Sequence, residues 1–74
     1  MFTIKVIEES TGRPAYNKKV SIIFHGFFRG STKTIYTDRN GEAHFDYDNG
    51  KGVVYINGKA WYDGEISGLR VLYI

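Results

Sequence analysis

The 74 residues contain no cysteine, which removes disulfides and thiolate metal sites together and is the usage expected of a reducing compartment. Proline occurs once, at Pro14; it cannot donate to a strand ladder, so the segment around it reads as a loop or a sheet edge. No apolar run approaches the roughly 18 residues of a membrane span, and Phe2-Thr3-Ile4-Lys5-Val6-Ile7 after Met1 is too short and too mixed for a signal peptide. The expectation is a soluble, cytoplasmic chain with no membrane partner. Helical periodicity is also missing: no window of eleven residues places apolar side chains at i, i+3, i+4 and i+7, so no helix longer than a single turn is expected. Histidine occurs only as His25 and His44.

What the chain does have is aromatic and apolar residues, at 16% and 42%, within a length that fits one domain over residues 1–74. A chain this short buries only about 60% of the surface it exposes when unfolded, so its core is thin. Without disulfides, aromatic packing and self-association are the remaining reinforcements. The net charge of +2 is unevenly spread along the sequence. Residues 1–37 carry six Lys or Arg against two Glu, and residues 38–74 carry four against six acidic groups. That distribution suits either a mixed solvated surface or a dipolar domain that steers a charged partner.

Period-two patterning runs throughout. Phe2, Ile4 and Val6 alternate with Thr3, Lys5 and Ile7, and Val20, Ile22 and Phe24 alternate with Ser21, Ile23 and His25. Around Asp38-Arg39-Asn40-Gly41 two strand-forming runs meet, 34–37 and 43–47, and a hairpin is expected there, with Ala43, Phe45 and Tyr47 on its buried face. Asp48-Asn49-Gly50-Lys51-Gly52 reads as a second turn, and Val53-Val54-Tyr55-Ile56 as a strand buried on both faces. Asn57-Gly58 is the preferred pair for a two-residue type I′ turn returning through Lys59-Ala60-Trp61-Tyr62. Asp63-Gly64 is expected to turn the chain again before a last strand, Leu69 to Ile74. About seven short strands with regularly spaced turns indicate an all-β sandwich or a small barrel.

Several of these pieces together resemble the transthyretin-like, or carboxypeptidase-regulatory-like, domain family. They are Thr11-Gly12-Arg13-Pro14-Ala15 before Val20-Ser21-Ile22, then Thr37-Asp38-Arg39-Asn40-Gly41 with Ala43 and Phe45, then Gly52 with Val54 and Ile56. The resemblance covers about residues 4–57 and implies a small Ig-like, prealbumin-type Greek-key sandwich, with an SH3-like or other small barrel as the alternative. Such domains serve as appendages, stalk modules, inhibitors and carriers, so the resemblance implies a shape more than a task. Leu69 to Ile74 lacks the tyrosine-rich C-terminal signature of transthyretin and its hydrolase relatives, so no catalytic residue is carried over.

Candidate sites are correspondingly sparse. A metal would need both histidines plus a carboxylate such as Asp46, which shares a strand face with His44; the alternative is two solvent-facing histidines. Asp38-x-Asn40-Gly41-Glu42 lacks calcium-loop spacing and reads as a turn. Ser10, Ser21, Ser31 and Ser67 have no nucleophile elbow, and no phosphate-cradling loop precedes a helix, so neither an enzyme nor a cofactor is expected. Lys18, Lys19, Arg29 and Lys33 interleave with Tyr16, Phe27, Phe28 and Tyr36, the mixture with which a β platform stacks bases and neutralises phosphates. Burial of the aromatics with edge-protecting lysines is the plainer account. Tyr55, Trp61 and Tyr62 are candidates for an aromatic surface that takes a sugar or a protein. The leading expectation is a non-enzymatic interaction module that pairs with itself as a homodimer, or with another protein, through its last strand, on Leu69, Val71 and Tyr73. Binding of single-stranded nucleic acid or a small ligand through Phe27, Phe28, Arg29, Trp61 and Tyr62 is the runner-up.

Overall fold

The alternation seen in the sequence becomes eight strands in the computed structural model, which describes residues 1–26 and 30–74. In chain order they are β1 (Phe2–Glu8), β2 (Arg13–Pro14), β3 (Lys19–Phe24), β4 (Ile35–Tyr36), β5 (Glu42–Phe45), β6 (Gly50–Ile56), β7 (Lys59–Ile66) and β8 (Gly68–Tyr73). The strand beyond the expected seven is β2, the proline-bearing edge segment, paired with the end of β1 through Ile7 opposite Pro14. Among the described residues no helix is long and apolar enough to cross a membrane.

Two four-stranded sheets result. In the first, β1 is central: β5 and β2 share one of its sides in antiparallel register, and β8 runs parallel to it on the other. In the second, β4, β3, β6 and β7 follow one another antiparallel. Period-two geometry sends alternate side chains inward from each sheet. Phe2, Ile4, Val6, Ala43, Phe45 and Leu72 thereby meet Val20, Ile22, Phe24, Val54, Ile56 and Ile66 in one core. Phe2 stacks on Phe45 with ring centroids 5.3 Å apart and meets Phe24 edge-on at 6.2 Å, so three strands are joined by aromatic contact. The buried polar side chains are satisfied. Thr37 donates to the Ala15 carbonyl at 2.6 Å and accepts from the Lys18 amide at 2.9 Å, while Thr32 accepts from the Ile22 amide at 3.1 Å.

Four sequence expectations are corrected. Gly50, Lys51 and Gly52, read as part of a second turn, are the start of β6, held extended by pairing with Ile66, Glu65 and Gly64. The reversal at residues 38–41 exists, with the Gly41 amide donating to the Asp38 carbonyl and the Asp38 amide to the Glu42 carbonyl, both at 2.9 Å. It is not a hairpin: β4 pairs with β3 in the second sheet and β5 with β1 in the first, so the turn carries the chain from one layer to the other. Local turn chemistry is the same for a hairpin and a crossing, and only the partners of the flanking strands differ. Residues 53–56 are buried on one face, not two, because Val54 and Ile56 fill the core while the side chains of Val53 and Tyr55 lie on the outer face. Asp63-Gly64 does not turn. β7 continues through it, with Asp63 opposite Val53 and Gly64 opposite Gly52, and the chain changes sheets at Ser67-Gly68, where Gly68 adopts φ 58°.

Candidate functional site

Sheet edges and outer faces are where this architecture presents unused groups. Of its edges, four are short or broken. β4 and β2 are two residues each, β2 holds the proline, β5 is four residues long and bears Glu42 and His44, and β7 carries a bulge opposite Tyr55 together with Lys59, Asp63 and Glu65. These features are the ordinary means of blunting a free edge. β8 is six residues long and unbulged, and Arg70 is its one charge. It pairs with β1 without a break from Phe2 opposite Gly68 to Ile7 opposite Tyr73, and it contains no proline.

Hydrogen-bond direction follows from its last rung. The Ile74 amide donates to the Ile7 carbonyl and the Ile74 carbonyl accepts from the Glu9 amide, both at 2.9 Å, so even-numbered residues of this segment bond to β1. By alternation the N–H and C=O groups of Leu69, Val71 and Tyr73 point away from the sheet. Their side chains stand on the outer face, 57%, 37% and 57% exposed, while Leu72 is buried. Arg70, the one charged residue of the strand, is turned inward and lies 4.4 Å from the Tyr62 ring. All three residues expected at an edge interface are thus on an open edge.

The aromatic candidates separate. Trp61 sits at the β7 bulge, 40% exposed, with the Lys59 ammonium 5.2 Å from its ring. Tyr62 faces the other way, packing on the core, donating to the Glu65 carbonyl at 2.9 Å and carrying Arg70 on its ring. The two do not form one surface, because consecutive strand residues point to opposite faces. Phe27, Phe28 and Arg29 lie outside the described residues. Of the remaining interleaved set, Tyr16 is covered by Arg39 at 4.8 Å, Lys33 has its amide on the Tyr47 hydroxyl, and Lys19 stands opposite Tyr36 on the outer face of the second sheet. Beside Lys19 the surface sinks into a depression of about 300 Å³ lined by Lys19, Ser21, Thr34, Asn57 and Gly58.

The histidines do not meet. His25 Nε2 lies 2.8 Å from Asp63 Oδ1 on the second sheet. His44 bonds Thr3 through Nδ1 at 2.8 Å on the first, and its Nε2 approaches Glu42 Oε1 at 3.5 Å and Asp38 Oδ2 at 3.8 Å. Asp46 does not belong to this group. The three ligand-type atoms of Asp38, Glu42 and His44 lie within 4.8 Å of one another on the surface, in a polar cluster that Lys5 extends by approaching Glu42 at 3.9 Å. The sequence signal for it was the Glu42-x-His44 spacing on one strand face, plus a turn that folds Asp38 back. The Asp38 carboxyl is held below the ordinary range, foremost by the Glu42 amide donating to it; partial desolvation opposes this, and the Asn40 amide and the charges of His44 and Lys5 add to the lowering.

Comparison with known proteins adds no assignment: no protein-family model matches the chain, and neither a curated protein nor a solved structure is found to match it.

Proposed function

We propose that the chain is a non-enzymatic interaction module whose partner is a second copy of itself, bound edge to edge through β8. The observation that supports this reading is the outward-pointing backbone of Leu69, Val71 and Tyr73 on an edge without bulge, proline or outward charge. Antiparallel pairing about a two-fold axis at Val71 sets Val71 opposite its own copy and Leu69 opposite Tyr73 of the partner, so each open N–H meets an open C=O. The same register gathers both sets of Leu69, Val71 and Tyr73 side chains into one apolar strip on the outer face of a continuous sheet. Likeness to transthyretin-like domains supports the sandwich class of this reading and supplies no site.

Edge pairing alone buries less than the roughly 1,000 Å² of a stable interface, so the dimer is concentration-dependent. Sedimentation equilibrium on the wild type is expected to show monomer and dimer in exchange. Val71→Lys places two ammonium groups face to face across the axis and leaves a monomer, as does Val71→Glu with two carboxylates. Mixing the two variants restores a dimer, because the pair across the axis is then Lys against Glu. A wild-type chain that stays monomeric at millimolar concentration, or lysine and glutamate variants that dimerise as well alone as mixed, sinks the reading.

A further inference from the structure

The outer face of the second sheet carries a second, independent feature at the end near the Asn57-Gly58 turn. Its depression is lined by Lys19 and Ser21 from β3, by Thr34 just before β4, and by the two turn residues. Among the described residues the Lys19 ammonium and the Ser21 and Thr34 hydroxyls have no hydrogen-bond or ion-pair partner. Asn57 is fixed in place: its amide donates to the Lys19 carbonyl at 2.9 Å, and its Oδ1 accepts from the Lys19 amide at 3.2 Å, which leaves Nδ2 to donate.

Every lining side chain is therefore able to donate, and none is a carboxylate. The strands of the second sheet contain only two acidic residues, Asp63 and Glu65, both toward the far end of β7. Asp63 is engaged by His25 at 2.8 Å, and Glu65 lies directly across from Lys51. Among the described residues no ion pair compensates the charge of Lys19 at the depression. Two rings flank it on the same face: Tyr36, half exposed and opposite Lys19, and Tyr55, opposite Ser21.

We infer that this depression binds the phosphate of a small ring-bearing phosphate ester, of nucleoside monophosphate size. A tetrahedral oxyanion presents acceptor oxygens in several directions and matches a cluster of donors that includes one cation. A cavity of this volume is at the small end of ligand pockets, suited to a single nucleotide-sized molecule. The flanking tyrosines offer a face on which its ring stacks. No residue of this site belongs to the β8 edge, so the two readings stand or fall separately.

Calorimetric titration at low salt with adenosine 5′-monophosphate, adenosine and inorganic phosphate tests it. The monophosphate is expected to bind saturably and adenosine at least about tenfold more weakly, since it lacks the charged acceptor. Lys19→Gln and the double variant Ser21→Ala/Thr34→Ala are each expected to weaken the monophosphate by about tenfold, while Lys33→Gln, outside the depression, leaves it unchanged. Tyr36→Ala is expected to weaken the monophosphate several-fold and leave inorganic phosphate unaffected. Binding weakens again at about 0.2 M salt as the Lys19 charge is screened. All substituted side chains but Ser21 are exposed, and circular dichroism melts confirm that each variant is folded. Absence of saturable binding by either phosphate probe, or binding indifferent to Lys19→Gln, overturns the site. Inorganic phosphate binding as tightly as the monophosphate overturns the ring-bearing ligand.

Discussion

At the scale of single residues, two positions in the crossing turn decide whether the layers join. Gly41 has φ 75°, and a Cβ built there would stand 2.5 Å from the Val6 carbonyl oxygen, which is backbone and has nowhere to move. The Gly41 carbonyl accepts from the Val6 amide at 2.7 Å, so turn and β1 are held at that distance. Gly41→Ala is expected to cost about 2 kcal/mol or more in urea unfolding, combining left-handed strain with a steric clash. Asp38 acts through charge. Because its carboxyl is depressed in the folded chain, the stability it contributes is fully present above the ordinary value of 3.8 and is lost as pH falls below it. Asp38→Asn keeps an acceptor for the Asn40 and Glu42 amides but cannot titrate. Its stability is therefore expected to fall less steeply than that of the wild type between about pH 5 and pH 2, as read from denaturant midpoints at each pH. Equal slopes for the two proteins would show that Asp38 is not the linked group. Sequence alone made both residues legible as turn formers; that the turn abuts Val6 was not legible, since the two segments are distant in the chain.

Among the elements, the turn that joins β6 to β7 is the one most completely written in local sequence. Asn57 and Gly58 take φ 51° and 81°, the paired positive values of a type I′ turn, and Ile56 faces Lys59 across it. Asn57→Ala loses both the tolerance for a left-handed backbone and the Oδ1 bond to the Lys19 amide, and is expected to lower stability by about 1–2 kcal/mol in thermal or urea unfolding. A cost below a few tenths of a kcal/mol would mean that the turn is set by its strands and not by its residues. The neighbouring expectation, a turn at Asp63-Gly64, fails for an equally physical reason. Two residues that favour reversal are held extended by a full ladder to Val53 and Gly52, and tertiary pairing overrides propensity. β8 shows the converse. Its alternation was readable from the sequence, and so was its candidacy as an edge, but its parallel register against β1 required knowing that β7 ends in the opposite sheet.

For the molecule as a whole, the core between the sheets is one small cluster, and a chain near this size rarely gains more than about 3–5 kcal/mol from it. Phe45 is fully buried and stacked on Phe2, so Phe45→Ala, at about 3–5 kcal/mol, is expected to consume most of that margin and leave a largely unfolded chain by near-ultraviolet circular dichroism at 25 °C. A variant that keeps the wild-type melting midpoint would show the core to be less dependent on aromatic packing than its geometry implies. The pairing of β1 with β8 joins segments from opposite ends of the chain, a contact whose loop-closure entropy is lost before its hydrogen bonds form. By itself the sequence determined where most strands lie and which face of most of them is apolar. It did so because period two is a local property of an extended backbone and turn residues declare their own φ. Only the tertiary structure decided that the Asp38 reversal joins two layers, that Trp61 and Tyr62 part company, and that Asp38, Glu42 and His44 converge. It also gathered the donors of Lys19, Ser21, Thr34 and Asn57 around one depression. Each of these depends on which strands become neighbours, a choice made by packing the two apolar faces together and recorded in no single segment.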